Sequence, residues 1–181
     1  GHAGLYANAT TLAKLAQVIT AGCATAKEAV EMMGKIIDLY GSGECNSIMF
    51  SDPNETWYFE QVSGHQYAAV KMSADMASVQ PNIMLLGEID VTDTENVVAS
   101  ANLVTLAQEN GFLVTDESGK IDVTATYGNP SGTSKRYSQG LFYFNEEAAN
   151  AYGTIEKNTK LDYDLLFDTT KQNVGSHLKN C

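Results

Sequence analysis

The chain has 181 residues, of which 44% are apolar and 18% are charged, and its formal net charge is −11. Such a length and composition are typical of a globular chain with a buried core and exclude a disordered one. Arg136 is the single arginine. Without clustered cations to neutralise phosphates, neither nucleic acid nor an acidic membrane surface is an expected partner.

The first clear element is a helix over residues 26–40. Thr25 can cap its start, and Glu28 stands three residues on, as in a capping box. Apolar residues then recur at the three- and four-residue spacing of one helix face. Gly41 and Gly43 follow and indicate the end of the helix.

An antiparallel meander is predicted next. Residues 47–50, 56–62 and 67–72 are rich in aromatic and β-branched side chains, and turn residues separate them at 52–54 and 63–64. A fourth strand is predicted at residues 77–80, directly before Pro81. These elements indicate an α+β fold with an antiparallel sheet.

The remaining predictions are more scattered along the chain. A second helix would begin at Thr92 or Thr94, present Val97 and Val98 on its apolar side, and end at residues 110–111. Short strands are predicted at 112–114 and, as an alternative to a buried segment, at 140–144. Residues 127–132 have the composition of a loop, and residues 5–21 of a short helix.

Residues able to carry chemistry are few. His65 follows a glycine at a predicted hairpin tip, where a histidine is more often solvated than catalytic. Cys23, Cys45 and Cys181 form no C-x-x-C pair, which favours a reducing compartment and gives no zinc or redox motif. No calcium loop is found, and no aliphatic run approaches the roughly 18 residues of a membrane span. We therefore expect no metal and no cofactor.

Several short segments, in order, resemble the bacterial dipeptidase A family, whose members are cysteine peptidases of the N-terminal-nucleophile hydrolase superfamily. The matching segments are residues 40–46, 52–60, 63–70, 81–82, 87–90 and 109–112. The resemblance is best over about residues 24–112 and weak over 113–181. It implies that residues 1–181 are a single internal portion of a larger dipeptidase domain.

The resemblance also implies a fold and a mechanism. Family members are αββα sandwiches that hydrolyse dipeptides with a cysteine at the start of the mature chain, whose own α-amino group is the base. Neither Cys23 nor Cys45 matches that position. We therefore expect the nucleophile to lie upstream of Ala3, and this segment alone to be inactive.

Two site residues follow from the same resemblance. Asn82 matches a superfamily asparagine beside the nucleophile that can donate to the oxyanion, although it could also merely turn the chain after Pro81. Arg136 resembles an arginine that helps to organise the active site, although it could equally be a surface charge.

The expected function is hydrolysis of dipeptide amide bonds by a bacterial, cytoplasmic thiol peptidase that acts on small dipeptides, with assembly into a homo-oligomer left open. Two alternatives remain open at this point. One is a non-catalytic binding or structural module derived from the same fold. The other is an acyltransferase or amidase of the same superfamily, which shares the thiolate mechanism and differs in substrate.

Overall fold

The structure is a computed structural model that describes residue 19 and residues 21–43, 45–74, 78, 83–128 and 137. The chain divides into two compact units, Gly1–Met76 with Met84–Pro130 and Ala77–Ile83 with Ser131–Cys181. All the elements below lie in the first unit. They are α1 (Ala26–Tyr40), β1 (Asn46–Ser51), β2 (Thr56–Ser63), β3 (Gln66–Lys71), β4 (Glu88–Ile89), β5 (Val97–Ala99), α2 (Leu103–Glu109), β6 (Ile121–Asp122) and α3 (Val123–Tyr127).

The predicted first helix is confirmed as α1. The Thr25 hydroxyl accepts from the backbone N–H of Glu28 at 3.1 Å, and a carboxylate oxygen of Glu28 accepts from the N–H of Ala24 at 2.6 Å. Gly41 ends the helix at a φ of 66°, a left-handed conformation that favours glycine. Its N–H donates to the carbonyl of Ile37 at 2.8 Å.

The turn between β1 and β2 fastens the start of α1 to the sheet. One Asp52 oxygen accepts from the N–H of Ala26 at 2.7 Å, while the other accepts from the turn amides of Asn54 and Glu55. Glu55 accepts from the N–H of Lys27 at 3.2 Å. Backbone donors that a helix N-terminus leaves unpaired therefore bond to carboxylates of the neighbouring turn.

The predicted meander is also confirmed. β1, β2 and β3 pair antiparallel through two hairpins, and the four-stranded sheet has the order β1-β2-β3-β5. An α+β fold with an antiparallel sheet is thus observed. The strand predicted at residues 77–80 lies outside the described residues except for Ser78, which belongs to no element.

The predicted second helix was wrong in its first half. Val97–Ala99 form strand β5, which pairs with residues 68–70 of β3, and the helix begins only at Leu103. Two consecutive β-branched valines favour a strand. The edge of β3 that β1 and β2 leave unpaired offers backbone hydrogen-bond partners to residues 97–99, and this pairing favours the strand over the helix. Those partners are far away in sequence, so the apolar spacing alone indicated a helix.

The C-terminal part of the unit differs from expectation at a second place. Residues 112–114 form no strand; Thr115 makes an isolated bridge to Ile121, and β4 pairs with β6 in a separate two-stranded sheet. The predicted loop at 127–132 begins where α3 ends at Tyr127. Its remainder lies outside the described residues, as do the predicted segment 140–144 and most of the predicted helix 5–21.

Hydrophobic clusters cover both faces of the four-stranded sheet. On one face, Trp57 and Phe59 of β2 pack with Val30, Met33 and Ile37 of α1. On the other face, Tyr58 and Val62 pack with a second set of buried residues, Ala68, Leu86, Ile89, Leu103, Ile121 and Val123. β2 is accordingly buried at every position from Trp57 to Val62.

Candidate active site

A carboxylate lies inside the second of these clusters. Glu60 stands between Tyr58 and Val62 in the alternation of β2 and is 0% exposed. Its Oε1 accepts from the backbone N–H of Leu85 at 2.6 Å and from the Tyr58 hydroxyl at 2.5 Å, and its Oε2 accepts from the N–H of Leu86 at 3.3 Å. Three donors therefore converge on one buried acid, as burial of a charge requires.

The segment that Glu60 binds is held on its other side as well. The carbonyl of Leu86 accepts from the N–H of Thr124 at 2.7 Å, and the carbonyl of Gly87 accepts from the N–H of Val123 at 3.1 Å. Both donors belong to the first turn of α3, whose N–H groups have no partner within the helix. Residues 85–87 are thus fixed between a strand side chain and a helix N-terminus.

Burial raises the pKa of Glu60 above its ordinary value of 4.5, and the hydrogen bonds from Tyr58, Leu85 and Leu86 counteract that rise. Removal from water disfavours the charged form, whereas donors favour it. A carboxylate with three donors is a fixed acceptor, because an ionised acid has no proton to donate.

A cleft of about 380 Å³ lies beside the β2–β3 turn, lined by Asp38, His65, Gln66, Ser100, Ala101 and Asn102. Ser100 Oγ donates to Gln66 Oε1 at 2.7 Å, and the Tyr67 hydroxyl donates to Asp38 at 3.2 Å. His65 Nδ1 donates to the carbonyl of Ile37 at 2.8 Å, since that carbonyl can only accept. The Ser100 hydroxyl thus donates to an amide oxygen, which is not a base that could activate it as a nucleophile.

The two described cysteines are not arranged as nucleophiles. Cys23 is half-buried and packs against the α1 cluster, which matches a small hydrophobic residue. Cys45 is exposed as a residue, yet its Sγ donates to the carbonyl of Val62 at 2.8 Å. Burial of the thiol, followed by the charge of Glu60, raises the pKa of Cys45, which keeps it as a thiol at neutral pH.

The predicted site residues Asn82 and Arg136 both lie outside the described residues, so their roles stay predictions. His65 is exposed at its turn, as expected from sequence. Sequence analysis missed Glu60, although a signal was present. The alternation of the predicted strand 56–62 places Glu60 on the same face as Tyr58 and Val62, and an acid on an apolar face needs a partner.

The described residues contain neither a metal-binding cluster nor a membrane-spanning helix. No group of three or more histidine, cysteine, aspartate or glutamate side chains in that part of the chain could hold a metal ion. No described helix has both the length and the apolarity that crossing a membrane requires.

A family model for peptidase family C69 matches residues 6–165 of the chain. Several similar curated proteins are named probable dipeptidases. A probable dipeptidase B of Streptococcus pyogenes serotype M3 is 33% identical over 129 residues, which is 71% of this chain and 26% of that protein. A probable dipeptidase of Latilactobacillus sakei is 40% identical over 79 residues, 44% of this chain and 17% of that protein.

A probable dipeptidase of Salmonella dublin is 33% identical over 114 residues, which is 63% of this chain and 26% of that protein. The chain thus spans about a quarter or less of the length of these curated relatives. The similar proteins come from three bacterial genera, and their names agree with the peptidase family that the model identifies.

Proposed function

Because the chain belongs to peptidase family C69, we propose that it is an internal portion of a dipeptidase that hydrolyses dipeptides through an acyl-enzyme. The observation that carries this proposal is the family match over residues 6–165 together with relatives that are named probable dipeptidases. Those relatives are about four to six times as long as the segment that they share with this chain. That difference in length supports the proposal that residues 1–181 are one portion of a larger catalytic domain.

The proposed reaction begins on a cysteine at the N-terminus of the mature enzyme, outside this sequence. Its α-amino group takes the thiol proton, and the sulfur bonds to the carbonyl carbon of the dipeptide. The C–N bond then breaks, the leaving amine takes the proton, and water hydrolyses the thioester. The arrangement of Cys45 supports a nucleophile elsewhere, because its thiol is protonated and donates to the Val62 carbonyl.

Asn82 is proposed as a donor to the oxyanion of this reaction, and Arg136 as a residue that organises the site. A side-chain amide aimed at the developing negative charge stabilises the transition state more than the ground state. Loss of one such donor typically costs about 3 kcal/mol of activation free energy.

An αββα sandwich is the proposed architecture of the whole domain. Support comes from the layering of the described unit, in which α1 covers one face of an antiparallel sheet. The opposite face is apolar as well, with Tyr58 and Val62 buried there. A sheet with two apolar faces requires a layer on each side. A cytoplasmic location and possible self-association are parts of the same proposal.

The test compares this chain with the longer enzyme in hydrolysis of a dipeptide such as Leu-Leu. We expect turnover by the longer enzyme and none by residues 1–181. In the longer enzyme, Asn82→Ala should lower kcat about 10²- to 10³-fold with little change in KM. Asn54→Ala, which changes an exposed asparagine in the β1–β2 turn, is the matched control and should leave kcat unchanged.

Three results would overturn parts of this proposal. Hydrolysis by residues 1–181 alone would place the nucleophile within this chain. Equal kcat values for Asn82→Ala and Asn54→Ala would remove Asn82 from the oxyanion site. A longer enzyme that binds dipeptides without cleaving them would instead indicate a binding module that has kept the fold and lost the reaction.

A further inference from the structure

The cleft beside the β2–β3 turn lies where three parts of the fold meet. Asp38 comes from the last turn of α1, Gln66 from the start of β3, and Ser100 and Asn102 from the segment between β5 and α2. That segment is bonded to β3, because the N–H of Ser100 donates to the carbonyl of Tyr67 at 3.0 Å and Ser100 Oγ accepts from the N–H of Tyr67 at 3.3 Å. The cleft volume of about 380 Å³ falls within the range of roughly 300–1,000 Å³ that is usual for small-molecule sites.

A buried amide lines the cleft. Gln66 is 7% exposed, and its Oε1 accepts from the hydroxyl of Ser100, itself 6% exposed, at 2.7 Å. The side chain of a glutamine has one acceptor oxygen and one NH₂ group that can only donate. Because the oxygen is bonded to Ser100, the NH₂ group is the part of Gln66 that is left to bind a ligand.

The Asp38 carboxylate supplies the opposite chemistry. The Tyr67 hydroxyl donates to its Oδ2 at 3.2 Å, and the Tyr67 ring stacks on Phe59 with ring centroids 5.4 Å apart. An ionised carboxylate can only accept hydrogen bonds, and a carboxylate held by a packed tyrosine loses little side-chain freedom when a ligand binds. Oδ1 is left to accept from that ligand.

The charge around the cleft favours a cation. α1 ends here without a basic residue in its last turn, and the C-terminus of a helix carries partial negative charge. His65 Nδ1 donates to the carbonyl of Ile37, so the neutral imidazole keeps an acceptor at Nε2. The described residues that line the cleft include no lysine or arginine. A positively charged donor is therefore the ligand group that suits Asp38.

We infer that this cleft binds a small molecule in which a free ammonium group lies next to a carbonyl or carboxylate group. Asp38 accepts from the ammonium group, and the NH₂ group of Gln66 donates to the carbonyl or carboxylate oxygen. A free amino acid and a dipeptide share this pair of groups. The inference goes beyond the proposed function, because binding in the cleft requires neither the nucleophile nor the longer enzyme.

Two variants test the two halves of the ligand. Asp38→Asn removes the charge from an exposed position and keeps an oxygen that can accept from the Tyr67 hydroxyl. Gln66→Glu replaces the NH₂ donor by an oxygen and keeps an acceptor for Ser100. Glu31→Gln is the matched control for Asp38→Asn, since Glu31 is an exposed acid of α1 that does not line this cleft.

The measurement is an NMR titration of the 181-residue chain with leucine, with Leu-Leu and with N-acetylleucine, which lacks the ammonium group. Leucine or Leu-Leu should shift the backbone amide resonances of Gln66 and Asn102 and leave that of Ile121 in β6 unchanged. Asp38→Asn and Gln66→Glu should each raise the Kd at least about tenfold, because each removes a hydrogen bond to a charged or polar ligand group, whereas Glu31→Gln should not change it. An unchanged Ile121 resonance in each variant checks that the chain is folded.

The two possible sources of the ligand are separated by the same titrations. Tighter binding of Leu-Leu supports the site and identifies the dipeptide as its occupant, and equal or tighter binding of leucine supports the site and identifies the amino acid. The inference is wrong if neither compound binds up to about 20 mM, if N-acetylleucine binds as tightly as leucine, or if Asp38→Asn leaves the Kd unchanged. A longer enzyme that does not cleave Leu-Leu would remove the proposed function and leave this site standing, since the titrations require no catalysis.

Discussion

The ring of Tyr67 occupies the space that a β-carbon on Gly34 would need. A β-carbon built on Gly34 would lie 2.6 Å from Tyr67 Oη and 2.7 Å from Cζ. Gly34 is buried in α1, and Tyr67 is fixed there by stacking on Phe59 at 5.4 Å and by its hydrogen bond to Asp38. This glycine therefore sets how closely α1 approaches the sheet.

Gly34→Ala is predicted to destabilise the chain. Alanine normally favours a helix over glycine by about 1 kcal/mol, but here the added methyl group has to displace a packed aromatic ring. We expect the free energy of unfolding to fall by about 1–3 kcal/mol, as measured by urea denaturation.

Gly43→Ala is the control for that variant, because a β-carbon there meets no atom within 4 Å. It should change the free energy of unfolding by less than about 0.5 kcal/mol. A Gly34→Ala chain as stable as the wild type would mean that Tyr67 can move aside without cost.

The turn carboxylates predict a loss of stability in acid. The N–H of Ala26, followed by that of Asn54, lowers the pKa of Asp52 from its ordinary value of 3.8, and the Lys71 ammonium, 2.9 Å away, lowers the pKa of Glu55 from 4.5. Because both folded-state values lie below the unfolded ones, their stabilisation is complete above about pH 4.5 and is lost as the pH falls through the folded-state values.

Thermal melts between about pH 7 and pH 2 check this dependence. Asp52→Asn should lower the melting temperature at neutral pH and flatten its fall below pH 4.5. Glu117→Gln, which changes an exposed acid, should keep the wild-type profile. A wild-type melting temperature that does not fall in acid would contradict the role given to these two acids.

Cys45 is predicted to react slowly with iodoacetamide at neutral pH. Burial and the charge of Glu60 raise the pKa of its thiol above the ordinary value of 9.0, and only the thiolate is alkylated. The alkylation rate, followed at Cys45 by mass spectrometry across pH, should therefore reach half its maximum above pH 9.0.

Glu60→Gln should move that midpoint to lower pH, because it removes the neighbouring negative charge. Glu88→Gln should not move it. Identical midpoints in the wild-type and Glu60→Gln chains would indicate that Glu60 is uncharged in the folded protein.

The Tyr67 hydroxyl is predicted to ionise at a higher pH than an ordinary tyrosine. Burial, followed by the charge of Asp38, raises its pKa to about 12. Phenolate absorbance measured against pH, as the difference between wild type and Tyr67→Phe, should show this transition. Asp38→Asn should lower the midpoint, and a wild-type midpoint near the ordinary value of 10.0 would contradict the burial of this hydroxyl.

Local signals predicted a large part of the described unit. α1 carries its cap, its apolar period and its terminal glycine within residues 25–41, and each hairpin of the meander carries its own turn residues. The Val97–Ala99 strand could not be found in that way, because its identity depends on pairing with β3. A backbone partner that is distant in sequence leaves no mark in the local pattern.

The candidate site divides in a similar manner. The likeness to a peptidase family could be seen in short sequence segments and is supported by the family match. The hydrogen bonds from Leu85 and Leu86 to Glu60 could not be predicted from the sequence. The alternation of a strand indicates which face an acid occupies, but not which backbone amides will donate to it. The roles of Asn82 and Arg136 remain predictions, and the kinetic comparison of Asn82→Ala with Asn54→Ala tests the first of them.

The burial of β2 on both faces has a consequence for how the chain acquires its fold. A hairpin of β2 and β3 on its own would present aromatic side chains to water on both sides, and isolated hairpins are at best marginally stable. The hairpin therefore depends on early docking of α1 on one side and of residues 84–89 on the other. If either layer docks late during synthesis, the hairpin exposes apolar side chains and can aggregate with other copies of the chain. Variants that slow docking should therefore reduce the yield of folded protein before they reduce its equilibrium stability.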